Sequence, residues 1–204
     1  MNLVIYLHGF GSVGKTDKSE SLRKMVMQRG DSFFAPDLPF DPIEAKKIVT
    51  DQISKSWSNY DQIVLVGTSL GGFLAHVIGE EFDIPYVVVN PAINPSEKFG
   101  LLLEDIKSGA VEPPRNYKTK AMIDVNEQAV AEFSKLEKAW DKATARLVHL
   151  FIAEDDDVLD PVEAQTFYKF SAVRMIYRDG GHRFESHWRE VVDYVSDILI
   201  SRRV

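Results

Sequence analysis

A serine, a cluster of carboxylates and a histidine stand in that order along the chain, and those residue types suit nucleophilic catalysis. Ser69 lies in Gly67-Thr68-Ser69-Leu70-Gly71-Gly72. The apolar run Ile63-Val64-Leu65-Val66 leads in, and Phe73, Leu74, Val77 and Ile78 follow with helical spacing. Strand, sharp turn and helix, with G-x-S-x-G at the turn, read as a nucleophile elbow. Such a turn holds its central residue in a strained backbone conformation, and flanking glycines leave room for it. The serine then stands above a helix N-terminus, whose free N–H groups and partial positive charge favour an oxyanion.

A serine hydroxyl needs a base, and an imidazole base needs a carboxylate to fix its tautomer and stabilise its charged form. Among five histidines, His182 fits this role, because Gly180-Gly181-His182 directly follows the last strand-like run. His8 belongs to the turn after the first strand, His76 lies two turns into the helix after Ser69, His149 falls within a strand, and His187 opens the last helix. The acid must come from Glu154, Asp155, Asp156, Asp157 or Asp160. Asp160 is explained as a helix cap, and Glu154 lies too close to its strand. Asp156 is preferred because it lies midway in the turn between the strand and the helix capped by Asp160, while Asp155 and Asp157 stay open. An oxyanion hole needs two preorganised donors. The Leu70 N–H and the Phe10 N–H, the latter in His8-Gly9-Phe10 after the first strand, are the candidates.

Alternating elements must position these groups. Strand-like runs occur at Leu3–Leu7, Phe33–Ala35, Ile63–Val66, Tyr86–Val89, Leu147–Ala153 and Ala172–Tyr177. Helical patterns fall between them: Leu22, Met25 and Val26; then Ala45, Ile48, Val49, Ile53 and Trp57; and at the end Trp188 through Leu199. Asp41 with Glu44, and Asp160 with Glu163, read as capping boxes. The alternation implies a compact α/β fold. Its expected core is a six-stranded, mostly parallel sheet in order 2-1-3-4-5-6 with helices on both faces. Arg174 suggests that the last strand is an edge. Residues 92–145 break the pattern, with helical spacing at Phe99, Leu102, Leu103 and Ile106 and again at Val130, Phe133, Leu136 and Trp140. This reads as a helical lid inserted in a single domain spanning 1–204. Phe10, Asn90, Phe99 and Phe133 are the expected substrate-binding residues.

Composition narrows the class. The 204 residues suffice for a self-supporting core and carry a net charge of −7, which argues against nucleic acid or anionic membrane as the main partner. The absence of cysteine excludes a thiolate nucleophile and a disulfide frame. No run is long enough to span a membrane, and no basic, apolar leader opens the chain, so the cytoplasm is the expected location. No metal site is expected.

The residues together resemble a known family. Leu7-His8-Gly9-Phe10, Pro36-Asp37-Leu38-Pro39, Gly67–Gly72, Asn90-Pro91-Ala92, Asp156–Asp160 and Gly180-Gly181-His182 are similar, in order, to the small bacterial YqiA/YcfP-like esterases of the α/β-hydrolase superfamily. The resemblance implies a serine esterase or thioesterase acting on a small-molecule acyl ester or thioester without a cofactor. Ala153, where a glycine is common, and the extra acids beside Asp156 depart from the pattern.

Two rival readings remain. Gly9-Phe10-Gly11-Ser12-Val13-Gly14-Lys15-Thr16 matches the phosphate-loop string G-x-x-x-x-G-K-[ST], with Lys15 for phosphates and Thr16 for Mg²⁺. A hydrolase fold kept only for ligand binding is the other.

Overall fold

The structure, a computed structural model, describes residues 1–139 and 146–201. Six strands form one sheet: β1 (Asn2–Leu7), β2 (Ser32–Phe34), β3 (Gln62–Thr68), β4 (Tyr86–Val89), β5 (Val148–Ala153) and β6 (Val173–Tyr177). Their order is β2-β1-β3-β4-β5-β6, as the sequence implies, and every pairing is parallel. Parallel strands need crossovers. These are α1 (Asp17–Gln28), α2 (Pro42–Ser56), α3 (Leu70–Phe82), α6 (Pro161–Phe167) and the pair α4 (Pro95–Ser108) and α5 (Glu127–Ala139), with α7 (Trp188–Ser201) closing the chain.

Side-chain alternation along β1 divides the interior. Leu3, Ile5 and Leu7 join a cluster containing Ala45, Val49 and Ile53 of α2 and much of α3. Val4 and Tyr6 face the opposite cluster, with Leu22 and Val26 of α1 and Val191, Val195 and Leu199 of α7. All six β1 residues and all seven of β3 are buried, as expected for strands covered on both faces. β6 lies at the sheet edge and alternates half-buried with exposed positions, which accounts for Arg174 there.

Local sequence readings hold in part. The α2 stripe is narrower than its spacing implies. Ile48 is partly exposed, and Trp57, at the helix C-terminus, is 54% exposed and leans on Phe82. Asp41 and Asp160 do cap their helices. The reciprocal capping box, however, forms at Thr16 and Ser19, and Glu163 instead meets Asn94. Among the described residues, no helix is long and apolar enough to cross a membrane.

The insert after β4 contains α4, α5 and a hairpin between them; its expected end, residues 140–145 including Trp140, lies outside the described residues. Phe133 of α5 is 1% exposed and packs against Phe40, Phe73 and Phe99, with ring centroids 5.3–5.9 Å apart. It anchors the insert to α3 and to the loop carrying Phe40. Phe133→Ala should therefore lower stability by about 3–5 kcal/mol, read from urea unfolding. Phe99→Ala, at a half-buried site, should cost clearly less.

Candidate active site

Ser69 sits between β3 and α3 with φ 54° and ψ −121°. This left-handed backbone is costly for a non-glycine residue and persists only where its surroundings enforce it. Here they do. The Ser69 N–H donates to Val89 O at 3.0 Å, and Ser69 O accepts from Gly72 N at 2.9 Å and Ala92 N at 3.1 Å. Although Ser69 occupies the N-cap position of α3, its hydroxyl makes no capping bond. It lies instead 3.1 Å from His182 Nε2.

His182 Nδ1 lies 3.0 and 2.9 Å from the two Asp156 carboxylate oxygens. The Asp156 side chain is 2% exposed, and its Oδ1 also accepts from Val158 N at 2.8 Å and Leu159 N at 2.9 Å. Burial is the largest influence on this carboxyl and pushes its pKa up. The His182 bond, the two N–H donors and the imidazole's charge together outweigh burial and hold the pKa below the ordinary aspartate value. The aspartate thus faces His182 as an anion, which fixes Nδ1 as the protonated nitrogen and leaves Nε2 to accept from Ser69.

The other acids of this turn separate by geometry. Asp155 Oδ1 accepts from Gly181 N at 2.7 Å, so it braces the histidine loop. Asp160 caps α6. Asn90, expected to touch substrate, is placed differently: it is 4% exposed, and its side chain is spent inside the protein. Its Nδ2 donates to Gly181 O at 2.9 Å and His182 O at 3.2 Å, while Oδ1 accepts from Ala153 N at 2.9 Å. Asn90 ties β5 to the histidine loop from a φ of 42°, a conformation that asparagine tolerates.

The two residues expected to supply oxyanion donors lie along one cavity. Leu70 and Phe10 both line it, and neither N–H meets an acceptor in a turn, loop or cap among the described residues. His8 shapes the loop bearing Phe10. Its Nδ1–H donates to Gly9 O at 2.8 Å, and its Nε2 accepts from Leu38 N at 2.9 Å. Burial pushes the His8 pKa down, consistent with the neutral ring these two bonds require.

The cavity, about 350 Å³, runs from these donors beneath the α4–α5 hairpin. Phe40, Leu74, Asn116, Met122 and Ile123 are among its walls. Phe10 lines it, but Phe99 and Phe133 stand behind it in the aromatic cluster. The hairpin residues were missed from sequence because their stretch has no periodicity.

The phosphate-loop reading is overturned. Thr16 caps α1 with its hydroxyl, and the Gly14 N–H is taken by the Asp37 carboxylate at 2.7 Å, where a phosphate would need it free. Gly11 O and Ser12 O are likewise engaged, by the hairpin. Among the described residues, no three His, Cys, Asp or Glu side chains converge as metal ligands.

The family model for UPF0227, described as an uncharacterised protein family, matches residues 3–197. The chain belongs to this family. A UPF0227 protein of Pectobacterium atrosepticum is 27% identical over 188 residues, which cover 90% of this chain and 92% of that one. Among solved structures, Est1E from Butyrivibrio proteoclasticus with bound ferulic acid superposes with a TM-score of 0.77 at 14% identity, covering 98% of this chain and 88% of that one. A monoacylglycerol lipase from Paleococcus ferrophilus gives 0.70 at 17% identity, over 96% and 94% of the two chains. The UPF0227 chain thus has the α/β-hydrolase fold.

Two measurements probe this geometry. Asn90→Asp sets a carboxylate oxygen against two carbonyls and should cost about 1–3 kcal/mol, read from chemical denaturation, with loss of the ordered His182 NMR signal. Acid titration tests Asp156. Its native pKa is depressed, so its contribution is present above the unfolded value and is lost as pH falls through the native one. Asp156→Asn should flatten that part of the acid-stability curve.

Proposed function

We propose that this UPF0227 protein is a serine hydrolase that cleaves carboxylic esters or thioesters of small acyl groups through a covalent acyl-enzyme. The observation that carries the reading is the continuous chain from Ser69 Oγ through His182 to buried Asp156, built on a strained elbow beside two N–H donors. The esterase and lipase titles among the structural neighbours lend it support.

Ser69 Oγ gives its proton to His182 Nε2 as the oxygen bonds to the substrate carbonyl carbon. Charge passes to the carbonyl oxygen, which the Leu70 and Phe10 N–H groups receive; such donors act because they are already oriented. Asp156 stabilises the imidazolium without taking its proton. Collapse of the intermediate breaks the bond to the leaving group, which departs with the proton from His182. Water, deprotonated by His182, then attacks the acyl carbon; as the acyl–Oγ bond breaks, His182 returns that proton to Ser69 Oγ and the acid is released. No step calls for a cofactor. The α4–α5 insert is read as a lid within one domain, covering the cavity that takes the acyl or alcohol portion.

A fluorophosphonate probe should label the wild-type protein on Ser69 and leave Ser69→Ala unlabelled; an unlabelled wild type would sink the reading. On a p-nitrophenyl ester, Asp156→Asn should lower kcat by up to about 10⁴-fold, because the amide permits the wrong imidazole tautomer. Asp155→Asn should cost far less, since its amide oxygen still accepts from Gly181 N. A reversed order of these two variants would make Asp155 the triad acid.

A further inference from the structure

The hairpin between α4 and α5 is fastened to the loop that carries Phe10, and one side chain does both the folding and the fastening. Arg115 and Met122 form an antiparallel bridge at its base. At its tip, Asn116 Oδ1 accepts from Lys118 N at 2.9 Å and Thr119 N at 3.0 Å, and Asn116 O accepts from Lys120 N at 2.9 Å. The same side chain turns its Nδ2 outward and donates to Ser12 O at 2.7 Å. Next to it, the Tyr117 N–H donates to Gly11 O at 2.7 Å. These are the carbonyls one and two residues beyond Phe10, whose own ring is wedged between Phe40 and Phe99 at 5.5 and 4.9 Å.

Resting on the hydrolase reading above, we infer that Asn116 is a positioning residue that sets the Phe10 N–H of the oxyanion hole from the far side of the pocket. The start of the Gly9–Ser12 loop is fixed by the elbow and by the Phe10 ring packing, whereas its far end is held by the hairpin. Gly9 O is taken by His8 and by Ser12 N, and the next two main-chain carbonyls to be bonded, Gly11 O and Ser12 O, both accept from the hairpin. Gly11 stands at φ 70° with the Tyr117 ring 3.2 Å from where a Cβ would be, so the two segments are in close contact as well as bonded. Asn116 also lines the cavity, as do Met122 and Ile123 on the same hairpin. A substrate that fills the cavity therefore presses on the element that aims the donor. Binding energy from the non-reacting part of a substrate is thereby expressed in the transition state, where it raises kcat.

Asn116→Asp separates the two duties. The carboxylate keeps the oxygen that folds the turn, which aspartate suits well, but removes the donor and sets an anion against Ser12 O. The expected result is a fall in kcat of about 10- to 100-fold, less than the loss of a whole oxyanion donor, with KM for a p-nitrophenyl ester unchanged within about twofold. The affinity of a trifluoromethyl ketone, which forms the tetrahedral adduct on the serine, should fall in step with kcat/KM. If Asn116→Asp folds poorly by circular dichroism, Asn116→Ser, whose shorter hydroxyl keeps the turn but cannot span to Ser12 O, takes its place. Unchanged kcat in a folded variant, or a loss confined to KM, overturns the inference. Fluorophosphonate labelling of the wild type keeps the two readings apart: a labelled wild type with an indifferent Asn116 variant refutes this proposal alone, whereas an unlabelled wild type refutes the hydrolase reading beneath it.

Discussion

The site depends on backbone passing backbone at distances that no side chain allows. A methyl group at Gly67 would lie 2.1 Å from Gly71 O, and one at Gly71 would lie 2.1 Å from Leu7 O. β3, the start of α3 and the end of β1 are therefore in main-chain contact at one point. That contact forces Ser69 to positive φ and, by the same closeness, brings the β1 loop with Phe10 alongside. The Ser69 elbow and the nearby Phe10 loop are two results of one steric constraint. Gly72 extends it, since a Cβ there would meet Pro91 Cβ at 2.9 Å and push away the segment leaving β4.

The histidine lacks such a frame and is held by polar groups instead. It follows two glycines, Gly180 at φ 133° and Gly181 at φ 56°, which make the loop supple. Asn90 from the end of β4, with Asp155 and Asp156 from the end of β5, fastens it at four atoms: Gly181 N, Gly181 O, His182 O and His182 Nδ1. On the outer side, Lys18 of α1 donates to Arg183 O, with its ammonium 5.5 Å from the Trp188 ring. Burial drops the Lys18 pKa to about 8, so this latch holds an ammonium that is partly neutralised in mildly alkaline solution. His187 closes the loop's base through Asp179 at 3.0 Å while its ring lies over Tyr177.

Much of this was legible in the sequence, and the failures share a cause. The elbow, the strand order and His182 carry strong local signatures: glycines where the chain is crowded, apolar runs where it is covered, and a glycine pair where it must bend freely. Asp156 was preferred for its place midway in the turn after β5, where its carboxylate also closes an Asx turn by accepting from Val158 N and Leu159 N. Phe99 and Phe133 misled because helical spacing marks burial, and burial places a ring behind a pocket wall more readily than in it. Asn90, Asp155 and Asn116 owe their roles to main-chain atoms distant in sequence, 91, 26 and 104 residues away, and no local pattern announces such a partner. The phosphate-loop string arose from unrelated demands: Gly14 because a Cβ would lie 2.2 Å from Ala35 O, and Thr16 because a helix begins after it.

The edge position of β6 has a consequence during biosynthesis. Protein chains leave the ribosome N-terminus first, and central strands β1, β3 and β4 are available to pair before the C-terminal part exists. The elbow can assemble on them, but His182 is 113 residues beyond Ser69 and follows a strand that pairs only with β5. A further tie near its loop forms when α7 docks and Trp188 Nε1 donates to Lys18 O and Ser21 Oγ on α1. A nascent chain thus carries a formed elbow with no imidazole beside its serine. On the proposed hydrolase reading, reactivity toward acyl groups therefore waits until β6 and α7 have been made and have docked.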